Sequence, residues 1–333
     1  MTSIQTTSNR NERIDFYKGI LMWGVVWGHT ITSLLNGAQN DIGIHPIFRT
    51  YDMPFFMLIS GLFLSYSIKK YSFFQLIKNK ITTIAIPTIL WTLVLSKFSS
   101  IVSWSYYFLW AVFLSAMIVC AFNKSITDKR WQMVVYAVLI ILFHVLPFNI
   151  ANLPYLFPYF VLGYYGYNLL YDEKMKSLYI LPFYILGLCF WNGKYNIWNA
   201  GANVIGGGTF ILLAILYRTF MALSGMIVAK GIFDFLYMYL SDNHPSVCSL
   251  FVNFGKETLA LYILHVIVLS KVVGKTTEVM IRMLGYNMWE TNHLFLGYFI
   301  APLLSFAIMM LLLWLIKWCK RHRYTDKLFG FKI

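Results

Sequence analysis

Charge is scarce in this sequence. Of its 333 residues only 12% are Asp, Glu, Lys or Arg, and just 13 are acidic. A soluble domain has roughly a quarter of its residues charged. The scarcity excludes a water-soluble globule, and a mean hydropathy of +0.64 with 59% hydrophobic residues points to an integral membrane protein. Cysteine is equally sparse. Cys120, Cys189, Cys248 and Cys319 are scattered without metal or redox spacing, so they read as small apolar packing residues. No strand-like alternation suggests a barrel, and no internal repeat or low-complexity tract is visible. The inverted repeats of many secondary transporters are not visible either.

What the chain does have is apolar runs of membrane-crossing length. Lysine and arginine concentrate in Arg10–Lys18, 69–80, 123–130, 171–177 and from Lys317 onward. These segments alternate with loops poorer in basic residues, as the positive-inside rule requires of cytoplasmic loops. The net charge of +14 is thus a topology signal and not a nucleic-acid footprint. Taking the basic segments as cytoplasmic predicts spans near 19–35, 53–68, 81–98, 104–122, 131–148, 153–170, 178–191, 209–230, 255–273 and 294–316. The expected fold is an all-α integral membrane protein of about ten transmembrane helices with both termini cytoplasmic. Region 199–240 holds either one span with an interfacial helix or two spans, and one keeps the basic C-terminus inside. The chain divides into a cytoplasmic tail (1–12), a membrane domain (13–320) and a basic tail (321–333). The first 18 residues are polar and no cleavage site follows them, so the first span is expected to remain as an anchor. Tryptophan and tyrosine crowd boundaries such as WSYYFLW (104–110), and Pro54, Pro87, Pro147, Pro154 and Pro302 sit near expected helix ends.

The first span carries expensive groups. In RIDFYKGILMWGVVWGHT (13–30), Lys18 and His29 are eleven positions apart, which puts them within about 20° on one helical face. Asp15 lies about 40° from His29 on the same side. His29 rises roughly 16 Å beyond Lys18, near the middle of the membrane. In FGKETLALYILH (254–265), Thr258, Tyr262 and His265 form a polar stripe, and His265 reaches a depth like that of His29. Intramembrane ionisable residues normally face a bundle interior or a wet cavity. Two imidazoles at matched depth predict a shared polar cavity.

KGILMWGVVWGH (18–29), MPFFMLISGLF (53–63), FPYFVLGYYGYN (157–168) and FGKETLALYILH, in this order, resemble the membrane-bound acyltransferase 3 family over residues 13 to 320. That family includes polysaccharide O-acetyltransferases and fucose 4-O-acetylase-like proteins. The resemblance implies a ten-helix enzyme that takes acetyl-CoA from the cytoplasm and acylates a sugar hydroxyl of a glycan or lipid-linked glycan. It also implies that Lys18 and His29 fill the family's basic-residue and histidine positions on the first helix. Arginine is commoner where Lys18 stands, and the histidine that commonly precedes the MP element is Asp52 here.

Acyl transfer to an alcohol needs a base, and the imidazole of His29 suits the task, either directly or through an acyl-His. Asp15 and Asp52 are candidates to orient partners. Lys78 and Lys80, with Lys69 and Lys70, are candidates for the donor's phosphates, although the same lysines also serve topology. Lys18 is a candidate for either the thioester end or a phosphate. Arg49, Asp52, Tyr262 and His265 are the candidates for the acceptor. Arg218, read as buried in the eighth span, needs a partner. His45, His144, His244, His293 and His322 read as loop or boundary residues without a role. The GGG at 206–208 reads as a packing or bending element. No metal is expected. The competing expectations are a transporter of a small solute lined by the same polar stripes, and an acyltransferase acting on an amino sugar or lipid.

Overall fold

In the computed structural model, the described residues are 11–35, 45–97, 104–145, 151–166, 177–191, 211–285 and 292–321. The N-terminal tail up to Arg10, the 206–208 glycines, most of 171–177, His322 and the basic tail beyond Arg321 lie outside them.

The described residues are helical, with no strand among them. In chain order the helices are α1 (Glu12–Leu34), α2 (His45–Lys70), α3 (Phe73–Lys80), α4 (Ile86–Leu95), α5 (Tyr107–Ser125), α6 (Lys129–Val145) and α7 (Leu153–Tyr165). They continue as α8 (Ser177–Leu188), α9 (Ile211–Asn243), α10 (Pro245–Lys256), α11 (Thr258–Val268), α12 (Gly274–Leu284) and α13 (Ala301–Lys320). Single π turns join α3 to α4, join α11 to α12 and lead into α13, so these pairs run as continuous rods. Each of the ten expected spans coincides with one helical run. Five runs are long and apolar enough on their own to cross a membrane: His45–Lys70, Tyr107–Ser125, Leu212–Asn243, Thr258–Met283 and Leu296–Lys320.

Several boundaries differ from the sequence reading. Helix α2 begins at His45, not near residue 53, so Arg49 and Asp52 lie inside a helix rather than at its mouth. Pro54 is therefore interior, where it removes one ladder hydrogen bond. Helix α3 starts at Phe73 behind a capping box of Ser72 and Gln75, which puts Lys78 and Lys80 on a helix that continues into the next expected span. The described part of 199–240 is the single long helix α9. The short helix α10 that follows it lies almost wholly between the expected spans 209–230 and 255–273, a stretch too short and too polar to be predicted as a span.

Helix α1 is the axis of the bundle and touches α2, α9, α10, α11, α12 and α13. Small residues let the helices close in, as lipid-embedded helices require. A Cβ at Gly61 of α2 would collide with the Phe160 carbonyl of α7, and one at Gly163 of α7 would collide with the Leu58 carbonyl of α2. The glycines of ISG and VLG thus serve one crossing. Outward, α6, α8 and α9 present Val138, Ile141, Phe183, Leu186, Phe220 and Phe235. Exposed apolar faces of this extent suit a hydrocarbon surround.

Several charges within the bundle are paired. Asp234 of α9 accepts from Arg13 Nε at 2.7 Å and from Lys230 Nζ at 2.8 Å, and the Tyr17 hydroxyl donates to it as well. One carboxylate thereby serves two cations where α1 and α9 cross, offsetting a desolvation cost of several kcal/mol per ion.

Candidate active site

Helix α1 starts at Asn11, whose side chain caps the Ile14 amide at 3.2 Å, with Glu12 and Asp15 in the first turn. The helix then carries its polar face inward as the sequence requires. Lys18 Nζ lies 2.7 Å from Asp15 Oδ1 and 5.4 Å from the centre of the Phe63 ring. Asp15 thus partners Lys18 and not His29.

Two cavities flank this helix. The inner one, of about 250 Å³, is lined by Lys18, Phe56, Phe63, Lys256, Thr258 and Tyr262 among others. The outer one, of about 260 Å³, is lined by His29, Thr32, Ser33, Ser105, Leu269 and Ser270, with Val266. Both are mainly apolar; the inner one carries two lysines, and the outer one carries His29 and the hydroxyls of Thr32, Ser33, Ser105 and Ser270.

Three rings join them. Tyr262, on the wall of the inner cavity, lies 5.3 Å from His265 between ring centroids. His265 lies 5.3 Å from His29, which opens into the outer cavity. His265 is fully buried, and its Nδ1 is 3.0 Å from the Leu261 carbonyl oxygen. A carbonyl only accepts, so Nδ1 carries the proton and Nε2 keeps its lone pair. That Nε2 has no hydrogen-bond partner among the described residues. The His29 ring makes no hydrogen bond to a described residue, which leaves its nitrogens to whatever enters the outer cavity.

His45 was read from sequence as an incidental loop residue. It is instead buried at the start of α2, with its ring against the backbone of Gly28. Arg49 and Asp52, on the same side of α2, are buried too. Asp52 Oδ1 accepts the Met53 amide at 2.6 Å. Lys78 is exposed and Lys80 half-buried, and neither lines the inner cavity; Lys256 does. Arg218 is buried over the Tyr155 ring, 4.2 Å from its centroid, a cation–π partner in place of the expected carboxylate or carbonyl. Among the described residues no cluster of His, Cys, Asp or Glu has the geometry to hold a metal.

A family model described as an acyltransferase domain matches residues 11–318. The chain belongs to the acyltransferase 3 family. It is an enzyme, an acyltransferase of membrane character, and the transporter expectation yields to that finding. Among curated proteins, this acyltransferase 3 chain is 24% identical over 287 residues to nodulation protein NolL of Sinorhizobium fredii, covering 78% of each chain. It is 27% identical over 179 residues to nodulation protein NolL of Mesorhizobium japonicum, covering 47% of this chain and 48% of that one. No solved structure matches. The motif glycines of this acyltransferase 3 chain, Gly28, Gly61 and Gly163, all lie at close helix contacts. Part of what makes the family recognisable here is packing and not chemistry.

Proposed function

We propose that the protein is an O-acetyltransferase that takes acetyl from acetyl-CoA at the cytoplasmic face and transfers it to a sugar hydroxyl of a cell-surface polysaccharide or its lipid-linked precursor. The observation that supports this reading is that two cavities, one holding two lysines and the other His29, are linked by the ring contacts Tyr262–His265–His29. The inner cavity suits a thioester and part of a pantetheine arm, being apolar and narrow, and is too small for a whole nucleotide. Lys256 at its more exposed edge, with Lys78 and Lys80 at the same end of the bundle, meets the phosphates. Lys18, more deeply buried and held by Asp15, faces the thioester end. The outer cavity, with His29 and the hydroxyls of Thr32, Ser33, Ser105 and Ser270 on its wall, suits a sugar; Asp52, Tyr262 and His265 lie outside that wall.

In the reaction the acceptor oxygen attacks the thioester carbonyl carbon as a free nitrogen of His29 takes its proton. The carbonyl electron pair moves onto oxygen. Collapse re-forms the carbonyl, breaks the C–S bond and expels the thiolate, which recovers the proton held by His29. His265, hydrogen-bonded to its own helix, keeps a fixed ring beside His29. In this reading all ten helical runs span the plasma membrane and both termini face the cytoplasm, which brings donor and acceptor to the site from opposite sides.

Purified protein in nanodiscs, supplied with acetyl-CoA and a glycan fraction, tests the reading. Thiol release that depends on the glycan, with acetyl recovered on it as an ester, is the expected result. Absence of thiol release with every hydroxylated acceptor offered would refute it.

A further inference from the structure

Arg49 is a buried cation without a carboxylate partner among the described residues. It is 8% exposed, its Nε has no hydrogen-bond partner among those residues, and no described carboxylate comes within 4.0 Å of its guanidinium. Buried charges in membrane proteins normally pair, as Arg13 and Lys230 do with Asp234, because an unpaired one is costly. Lys18 and Lys230 have carboxylate partners and Arg218 lies over the Tyr155 ring, whereas Arg49 has neither kind of contact among the described residues, which leaves its charge for another use.

The position of Arg49 gives the use. His45, Phe48, Arg49 and Asp52 share one face of α2 within about 100°. His45 rests on the Gly28 backbone of α1 and Phe48 on Gly24, so this face looks onto the turn that carries His29. Phe48 also packs edge-on against Trp27, with centroids 5.8 Å apart. The charge of Arg49 acts both on His29, which opens into the outer cavity, and on Tyr262, which lines the inner one, although Arg49 itself lines neither of the two. Asp52, one turn further along α2 and buried as well, bonds the Met53 amide instead of closing on Arg49.

We infer that Arg49 is a catalytic residue whose guanidinium receives the oxyanion formed on the thioester carbonyl during acetyl transfer. The inference rests on the acetyltransferase reading above and goes beyond the acceptor-binding role that the sequence suggested for this residue. Negative charge develops on the carbonyl oxygen as the acceptor attacks, and fixed donors in a dry site stabilise it without reorganisation. A permanently anionic acceptor group is disfavoured there, because the nearby Asp52 would repel it throughout binding. An oxyanion exists only in passing, so a cation partly offset by a neighbouring carboxylate is enough to lower the barrier without trapping an anion.

The test compares wild type, Arg49→Met, Arg49→Lys and His29→Ala in nanodiscs, with kcat and both KM values measured. Arg49→Met should lose about 10²–10³-fold in kcat, the usual cost of removing an oxyanion donor. KM for acetyl-CoA and for the glycan should stay within about threefold. Arg49→Lys should recover part of the loss, and methylguanidinium added to Arg49→Met should raise kcat in proportion to its concentration. If Arg49→Met does not fold, as judged by monodispersity and thermal unfolding, the Lys variant decides through its kcat alone. A rise in glycan KM with kcat kept would make Arg49 an acceptor anchor and overturn the inference, as would unimpaired turnover. In both cases the wild type, active and His29-dependent, would still uphold the acetyltransferase reading. A wild type without acyl transfer would overturn that reading, and the role of Arg49 with it.

Discussion

The rings of His29 in α1 and His265 in α11 lie 5.3 Å apart and tilted by 43°, one open to the outer cavity and the other sealed in the bundle. The asymmetry separates their roles. His29→Ala should lower acetyl transfer by about 10²-fold or more, as loss of a general base does. His265→Ala should cost less, since His265 lines neither of the two cavities described. Single-turnover rates on both variants, normalised to folded protein, check the order. Equal losses would make the two rings one catalytic unit.

Gly28 and His45 should behave as a coupled pair. A Cβ at Gly28 would meet the His45 ring, so Gly28→Ala should destabilise by about 1–3 kcal/mol, as overpacking does. Adding His45→Ala should return most of that stability, and the double-mutant cycle measures the coupling. Additive unfolding temperatures would show that His45 does not rest on Gly28.

Asp234 holds two cations, Arg13 and Lys230. Asp234→Asn should cost on the order of 2–4 kcal/mol, somewhat below the ~3–5 of a fully buried pair because Arg13 is partly exposed. Replacing Lys230 with Met in the Asn background should recover part of it. Denaturation in a mild detergent series reads both effects, and an Asn variant as stable as wild type would count against the network.

The lysines should divide by depth. Lys78→Gln with Lys80→Gln should weaken apparent acetyl-CoA affinity and reduce its salt sensitivity, because exposed charge acts through a screened field. Lys256→Gln should raise donor KM further, since Lys256 lines the cavity itself. Donor titrations at two salt concentrations test this. An unchanged affinity in the Lys78 and Lys80 variant would leave those residues as topology signals alone.

Topology is open to labelling. A cysteine at Ser72 or Gln75 should react with an impermeant maleimide only from the cytoplasmic side, and one at Asn40 only from outside. Reaction at residue 325 from outside would break the ten-span arrangement.

The sequence by itself determined the all-helical membrane class, the approximate place of each helical run and the shared face of Lys18 and His29. These depend on hydropathy and on helical period, which act within a single segment. It also marked Tyr262 and His265 as one stripe, for the same reason. Helix ends were legible only where charge or apolarity changed at a true end. Arg49 and Asp52 made a buried stretch of α2 look like a loop, so His45 was set aside with it. Tertiary structure alone decided that His45 rests on Gly28, that Asp234 gathers Arg13 and Lys230, and that Arg49 is buried within α2. Such relationships join residues far apart in the chain. They are fixed by how closely helix backbones approach and by which charges desolvation forces to pair, neither of which has a local signature in sequence.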